Sequence, residues 1–359
     1  MTDTLKQAVK FVKLGNVVAF PTETVYGLGA DASNEQACQK IFKIKKRPSI
    51  NPLIVHVATM RQAKTIGEFN ADALKLSNVF WPGPLSIVVP LKSGANIAGS
   101  VLAGLTTVAL RIPSHNIALE LIRKSGTAIA APSANPSGYI SSTALEHVKE
   151  HFLDEKDVFI LGDNLNLDIV NSIAKKMSFP LGAESMILNS LRCHPCVSED
   201  LDSRRSSNDD YICQYGIEST IVDSTTNNLT ILRDGFITLE ALEKVLGKKL
   251  GKTSSLMQIK APGMMNKHYS PKARIRLNAD SLEANEVGLN FANSKLEGKL
   301  SLNLSLTGDL IEAASNLFAN LRILDNYAEL NGLAIAVAPI PEVAIGVAIN
   351  DRLKRAAIK

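Results

Sequence analysis

Leu5, Val9, Val12 and Leu14 recur at helical spacing and stop at Gly15, after which Val17, Val18, Ala19 and Phe20 form an unbroken apolar stretch entering Pro21. That order predicts a helix and then a short buried strand. A second helix is expected to start at Ser33 as N-cap, with Gln36 as its capping-box partner, and to run through Ile44. Lys45, Lys46 and Arg47 close it, Pro48 and Pro52 prevent its continuation, and residues 53–57, which include His56, read as a buried strand. A helical region then reaches Phe80. WPGPLSIVVPL gives a proline and glycine turn followed by an apolar strand, with Trp81 as a packing anchor. Residues 106–113 form another strand, 114–124 a helix and 128–131 a third apolar strand; a helix carrying Glu146 and the strand VFILGD follow. Between 164 and 211 the periodicity weakens while Ser, Asn, Asp and Arg accumulate, the composition of a mobile excursion. Order returns with YGIESTIVDST and LTILRDG, and residues 317–357 read helix, strand, helix. Helices and strands alternate throughout, so the fold class is α/β.

Composition narrows this picture only modestly. A chain of 359 residues exceeds the usual single-domain size, and 45% hydrophobic with 21% charged residues is ordinary for a globular protein, so two packed domains are expected. The net charge of +4 permits an anionic or nucleic-acid partner without demanding one. Four cysteines do not make a disulfide framework. Cys193 and Cys196 form a lone C-x-x-C, with Cys213 beyond, and lack the second pair of a structural zinc site. No apolar run is long enough to span a bilayer, so a cytoplasmic protein with no membrane partner is expected.

Chemistry concentrates in four places. PTETVYGLGADA (21–32) sets two threonines, a glutamate and a tyrosine beside Gly27 and Gly29, where the backbone can approach a ligand closely. Its fit to a dinucleotide fingerprint is superficial, because the glycines do not directly follow the strand and no acidic residue closes a later one. Lys45 and Arg47 stand where a helix hands over to a strand, which suits an anion site and equally suits a helix end that complements the macrodipole. Arg111 lies inside an apolar strand, costly unless paired; a ligand carboxylate or phosphate would answer it, and so would a protein carboxylate. PSANPSGYISST (132–143) crowds small hydroxyls and Asn135 before a helix, suited to phosphate or a ribose hydroxyl and also to plain turn and capping chemistry. His147 and His151, four apart with no third ligand, read as exposed histidines. GKKLGKT, near Gly247, is one residue short of a Walker loop and follows a helix pattern.

Taken in order, PTETVYGLGADA, KKRPSINPLIVH, FWPGPLSIVV, VALRIP, AAPSANPSG, GIESTIVD and ILRDG resemble the YrdC-type threonylcarbamoyl-AMP synthases, and APGMMNKHYSPKA (261–273) resembles the linker of that family's two-domain form. The resemblance implies a YrdC-like twisted mixed sheet around an open cavity over residues 1–250, an interdomain linker at 251–272 and a smaller Rossmann-like α/β domain at 273–359. It implies a nucleotidyltransferase that joins L-threonine, bicarbonate and ATP into L-threonylcarbamoyladenylate and releases pyrophosphate. Mg²⁺ would come with ATP, with no resident metal site. The product would supply a tRNA-modifying threonylcarbamoyl transferase complex acting beside the anticodon, and direct tRNA contact stays open. Carried onto matching positions, the family pattern sets Thr24, His56, Arg111 and Ser219 around threonine. Arg47, Asn51, Thr107, Ser133, Asn135, Ser141 and Arg233 go to ATP, Lys45 and Arg47 go to the chemistry itself, and His268 and Tyr269 form a lid over the nucleotide. Residues 164–211 depart from the pattern and read as an insertion without catalytic residues, which a surface loop tolerates. Two other functions remain. One is an RNA-binding module, favoured by the basic balance and by Lys43, Lys45, Lys46 and Arg47 but without interleaved aromatics. The other is a carbamoyl-adenylate-forming enzyme like the YrdC domain of hydrogenase-maturation proteins, whose zinc-finger and acylphosphatase segments are not visible here.

Overall fold

The computed structural model describes residues 3–161, 213–226, 228–252, 261, 262, 264 and 268–358. The expected excursion at 164–211, with Cys193 and Cys196, lies outside the described residues.

Ten strands make one sheet: β1 (Val17–Phe20), β2 (Gly27–Asp31), β3 (Ile54–His56), β4 (Leu85–Pro90), β5 (Thr107–Arg111), β6 (Ile129–Ala131), β7 (Val158–Ile160), β8 (Thr220–Asp223), β9 (Thr230–Arg233) and β10 (Gly251–Lys252). Their spatial order is β10-β9-β8-β4-β5-β3-β6-β2-β1-β7. Pairing is mixed: β3 and β5 run parallel while β3 and β6 are antiparallel, and β4 is parallel to β8 but antiparallel to β5. Side chains of the central strands are buried on both faces. Leu85, Ile87 and Val89 of β4 enter one cluster with Val55 and Leu110, whereas Val88 joins Ile54, Ala109 and Ile221 behind the sheet. Burial on both sides is why these strands read as continuous apolar runs instead of alternating ones. Because β10 pairs with β9, the sheet extends two residues into the stretch expected to be linker.

A second sheet holds β11 (Ile275–Arg276), β12 (Glu286–Asn290), β13 (Ser301–Asn303) and β14 (Ala334–Val337), all parallel in the order β11-β14-β12-β13. The helix Leu310–Asn331 crosses over between β13 and β14. It is buried nearly all round. On one side Leu317 and Leu321 meet Val287 and Val337; on another the same cluster takes in Val25, Ile140 and Ile217 of the first domain. One apolar core therefore spans both domains. The opposite face of the small sheet is covered by Ala279, Leu282 and Leu296.

Four local expectations change. The second helix spans Glu35–Lys45 and is capped by Asn34, whose Oδ1 accepts from the Ala37 amide at 3.0 Å, not by Ser33 with Gln36. The Ser33 hydroxyl is already committed, donating to Asp31 Oδ1 at 2.7 Å. The helical region before Phe80 is two helices, Met60–Ile66 and Ala71–Phe80, parted at Gly67, where a Cβ would come within 2.3 Å of Val89 Cγ2. His147 and His151 are not exposed: His147 is buried and His151 half-buried, because the helix Leu145–Phe152 packs where Arg322 reaches across to donate to His151 Nε2 at 2.8 Å. Gly29 answers to sheet packing, since a Cβ there would lie 2.5 Å from Ile129 Cγ2 and 2.7 Å from Phe20 Cε1. Trp81 is the anchor expected of it, packed on the core with its indole donating to the Leu85 carbonyl at 2.7 Å. Among the described residues no helix is long and apolar enough to cross a membrane.

Candidate active site

The parallel register of β3 and β5 sets His56 directly beside Arg111 at the carboxyl ends of both strands. The turn after β1 then brings Glu23 and Thr24 onto the guanidinium. Arg111 Nη2 donates to Glu23 Oε1 at 2.7 Å and to Thr24 Oγ1 at 3.0 Å, and Nε donates to the Gly83 carbonyl at 3.3 Å. The charge inside the strand is thus balanced by a protein carboxylate. Burial pushes the Glu23 carboxyl upward, but the charge and hydrogen bond of Arg111 outweigh it and hold it below the ordinary value. Its second oxygen, Oε2, is buried without a hydrogen-bond partner among the described residues. Burial, followed by the Arg111 charge, lowers His56 to about 3, so the ring is neutral at physiological pH.

The other wall is cationic. Lys46 takes a left-handed conformation that ends the helix Glu35–Lys45 and turns Lys45 and Arg47 inward. Lys45 Nζ donates to the carbonyls of Ser133 and Asn135, and the Ser137 amide returns to the Lys45 carbonyl at 3.0 Å. Arg47 donates to the carbonyls of Asn51 and Pro52 at 3.0 and 2.8 Å. From the end of β9, Arg233 grips Ser219 through its carbonyl at 2.8 Å and its hydroxyl at 3.1 Å. Burial, then Arg47, pulls Lys45 well below the usual lysine value; burial, then Arg233, takes Arg47 to about 9. All three are buried. Among the described residues none has a carboxylate within ion-pair distance.

These walls enclose a cavity. Thr24, His56, Arg111 and Ser219 all line it, and so do Arg47, Ser133, Arg233, His268 and Tyr269. The remaining expected residues stand behind the lining. Lys45 and Asn51 support it as described, Asn135 donates to the carbonyls of Pro136 and Tyr139, and Ser141 donates to Glu218 Oε1 at 2.5 Å. Thr107 is the one left apart: it sits four residues from Arg111 at the other end of β5, about 13 Å away at a strand rise of about 3.3 Å. His268 and Tyr269 close one side. Tyr269 is fully buried, stacked on Phe318 with centroids 5.5 Å apart, and Ser270 N donates to the Gly138 carbonyl at 2.8 Å. Burial leads in lowering His268 to about 3. His56 Nδ1, His268 Nδ1 and the Tyr269 hydroxyl are all buried without hydrogen-bond partners among the described residues.

Two residues escaped the sequence reading, while Glu23 was marked as a polar group near Gly27 and Gly29 without being matched to Arg111. Glu218 carried a weak signal, a charge between Ile217 and Ser219 leading into the apolar strand β8. Arg352, on the helix Gly346–Ala356, carried none, since its partner Glu218 lies 134 positions away.

Comparison with known proteins shows the family. The family of Sua5, yciO and yrdC proteins, described as telomere recombination, matches residues 10–181, and the threonylcarbamoyl-AMP synthase C-terminal domain matches residues 237–358. The threonylcarbamoyl-AMP synthase of Pyrococcus abyssi (strain GE5 / Orsay) is 34% identical, over 98% of this chain and 93% of its own length. The chain belongs to the threonylcarbamoyl-AMP synthase family. The synthase of Bacillus subtilis (strain 168) is 33% identical over 98% of this chain and 92% of its own. Among solved structures, that of P. abyssi Sua5 complexed with L-threonine matches with a TM-score of 0.77 at 31% identity, covering 98% of this chain and 94% of that one. The Sua5, yciO and yrdC domain and the threonylcarbamoyl-AMP synthase C-terminal domain are therefore both matched in this chain.

Proposed function

We propose that this chain condenses L-threonine, bicarbonate and ATP into L-threonylcarbamoyladenylate and pyrophosphate, and that the cavity is where it does so. The observation that carries this reading is the set of buried cations, Lys45, Arg47 and Arg233, answered among the described residues by carbonyls and a hydroxyl. Burying such charges costs free energy that a bound anion offsets. ATP phosphates meet that need on one wall. On the other, Arg111 addresses the threonine carboxylate; a two-pronged grip there requires exchange of a bond now made to Glu23, Thr24 or Gly83.

The chemistry asks for alignment and neutralisation more than for a nucleophile of the protein. Threonine's amine and bicarbonate give a carbamate with loss of water; a carbamate oxygen attacks the α-phosphorus, and pyrophosphate leaves with the electron pair of the broken bond. Arg47 and Arg233 offset charge on the phosphates, while Lys45 ties the loop carrying Ser133 and Asn135 to the end of its helix. His268 and Tyr269 keep water from a labile carbamate and mixed anhydride. Mg²⁺ arrives as part of the nucleotide substrate. There it would offset charge on the phosphates, beside Arg47 and Arg233. Delivery of the adenylate to a tRNA-modifying transferase follows from the same reading, as does division into a catalytic domain at 1–250 and a second domain at 273–359.

Mass spectrometry of mixtures containing ATP, bicarbonate, Mg²⁺ and each amino acid in turn tests this: an adenylate is expected with threonine, and its absence removes the claim. Two substitutions test the division of the cavity. Arg47→Ala is expected to raise the KM for ATP by roughly tenfold or more with a smaller change for threonine, and His56→Ala to do the reverse, as hydrogen bonds to charged groups warrant. Equal effects on both substrates would show that the two walls do not separate the ligands.

A further inference from the structure

Arg352 is completely buried although it belongs to the C-terminal helix Gly346–Ala356, and it reaches the wall of the first domain's cavity. Its Nε donates to Glu218 Oε2 at 3.0 Å, while Ser141 donates to the other oxygen at 2.5 Å. Nη1 is held by Asp351 Oδ2 at 2.8 Å, which in turn accepts through Oδ1 from Arg355 Nε at 2.9 Å. The guanidinium carbon stands 5.3 Å from the centre of the Tyr269 ring, which also stacks on Phe318. Tyr269 takes a φ of 62°, a conformation that costs a non-glycine residue free energy and persists only where its surroundings hold it. Glu218 and Tyr269 both line the cavity; Arg352 lies behind them.

We propose that Arg352 is a positioning residue of the synthase, by which the C-terminal domain holds the Glu218 carboxylate away from the phosphate-facing arginines and backs Tyr269 in its closed place over the cavity. The physical reason is competition. Glu218 precedes Ser219, which Arg233 grips, and after Arg352 it is the Arg233 charge that acts most strongly on its carboxylate, so a carboxylate released from Arg352 has Arg233 as its alternative partner. Pairing there would remove a positive charge that the proposed function gives to ATP. Loss of the guanidinium also removes the flat cationic surface behind the Tyr269 ring, so the cover loosens and water gains access.

This inference rests on the function proposed above, and wild-type protein is assayed beside each variant to keep the two separable. Arg352→Gln is expected to raise the KM for ATP by roughly tenfold to a hundredfold, the range of a hydrogen bond to a charged group. It is also expected to increase pyrophosphate released per threonylcarbamoyl-adenylate recovered. Adding Glu218→Gln to Arg352→Gln removes the competing charge, so the KM for ATP is expected to return most of the way while the poor product recovery remains. A purely supporting role predicts no such recovery, and an unrestored KM in the folded double variant overturns the proposal; so does wild-type behaviour of Arg352→Gln. If Arg352→Gln does not fold, Arg352→Lys keeps the charge but not the flat surface and is expected to show the product loss with a smaller change in ATP use. Normal product recovery in that variant overturns the proposal as well. If the wild-type protein makes no threonine-dependent adenylate, it is the function, and not the role of Arg352, that falls.

Discussion

Arg111→Ala is expected to destabilise the folded protein by about 3–5 kcal/mol and to abolish threonine-dependent pyrophosphate release. The first effect follows from what stays behind. Glu23 would remain buried with no countercharge, Thr24 Oγ1 would lose its donor, and the Gly83 carbonyl would lose another. Removing one member of a buried ion pair costs that much because the survivor keeps its desolvation penalty. Replacing both residues, with Arg111→Met and Glu23→Gln together, should recover most of the stability and none of the activity. Urea unfolding monitored beside a threonine titration separates the two effects. An Arg111→Ala protein with unchanged unfolding midpoint and threonine KM would remove Arg111 from both roles. The pair also fixes a direction for pH. The Glu23 carboxyl is held below its ordinary 4.5, so the pair's contribution is complete above that pH and is lost as pH falls through the lowered folded value.

The second large effect is expected at Gly216. Its φ is +66°, and a Cβ there would lie 2.3 Å from Ser315 Cα, 2.5 Å from Ser315 O and 2.7 Å from Ala314 O, all backbone atoms of the helix Leu310–Asn331. No rotamer change relieves a collision with backbone. Gly216→Ala should therefore move that helix off the segment leading to Glu218 and Ser219, adding to the roughly 1–2 kcal/mol of the left-handed conformation itself. Loss beyond about 4 kcal/mol, with activity falling in step, is the expected result. Gly247→Ala is the control: its φ is +71° and nothing stands within 4 Å of the added carbon, so only the conformational cost of about 1–2 kcal/mol applies. Similar thermal shifts in the two variants would mean that the domain contact at Gly216 contributes little.

Local pattern sufficed wherever the determinant was local. The runs at 17–20 and 85–90 became strands because sheet faces covered on both sides favour apolar sequence on both, Ser86 being the buried polar exception, hydrogen-bonded to Ser219. Caps were harder, since Ser33 and Asn34 are adjacent candidates, and only the position of Asp31 explains why the serine was unavailable. Strand order could not be read at all: β4 lies beside β8, and nothing within residues 85–90 refers to residues 220–223. The same asymmetry runs through the cavity. Arg111 announced a need for an anion but not which one, and Glu23 took it. Lys45 announced charge, yet its bonds go to carbonyls of a loop that the sequence reading assigned separately to the ligand. His147 and His151 looked exposed because the helix that covers them comes from the far end of the chain.

The bonds that shape the cavity join residues 88 positions apart at Arg111 and Glu23, 77 at Ser141 and Glu218, and 134 at Arg352 and Glu218. Contacts of such separation must overcome loop-closure entropy before they stabilise anything, so they form slowly and late. Neither domain folded by itself contains the complete arrangement around Glu218. Catalytic output should thus behave as an all-or-none register of molecules in which both domains have docked, and a preparation's specific activity would count those molecules where spectroscopic measures of secondary structure would count every partly assembled one as well.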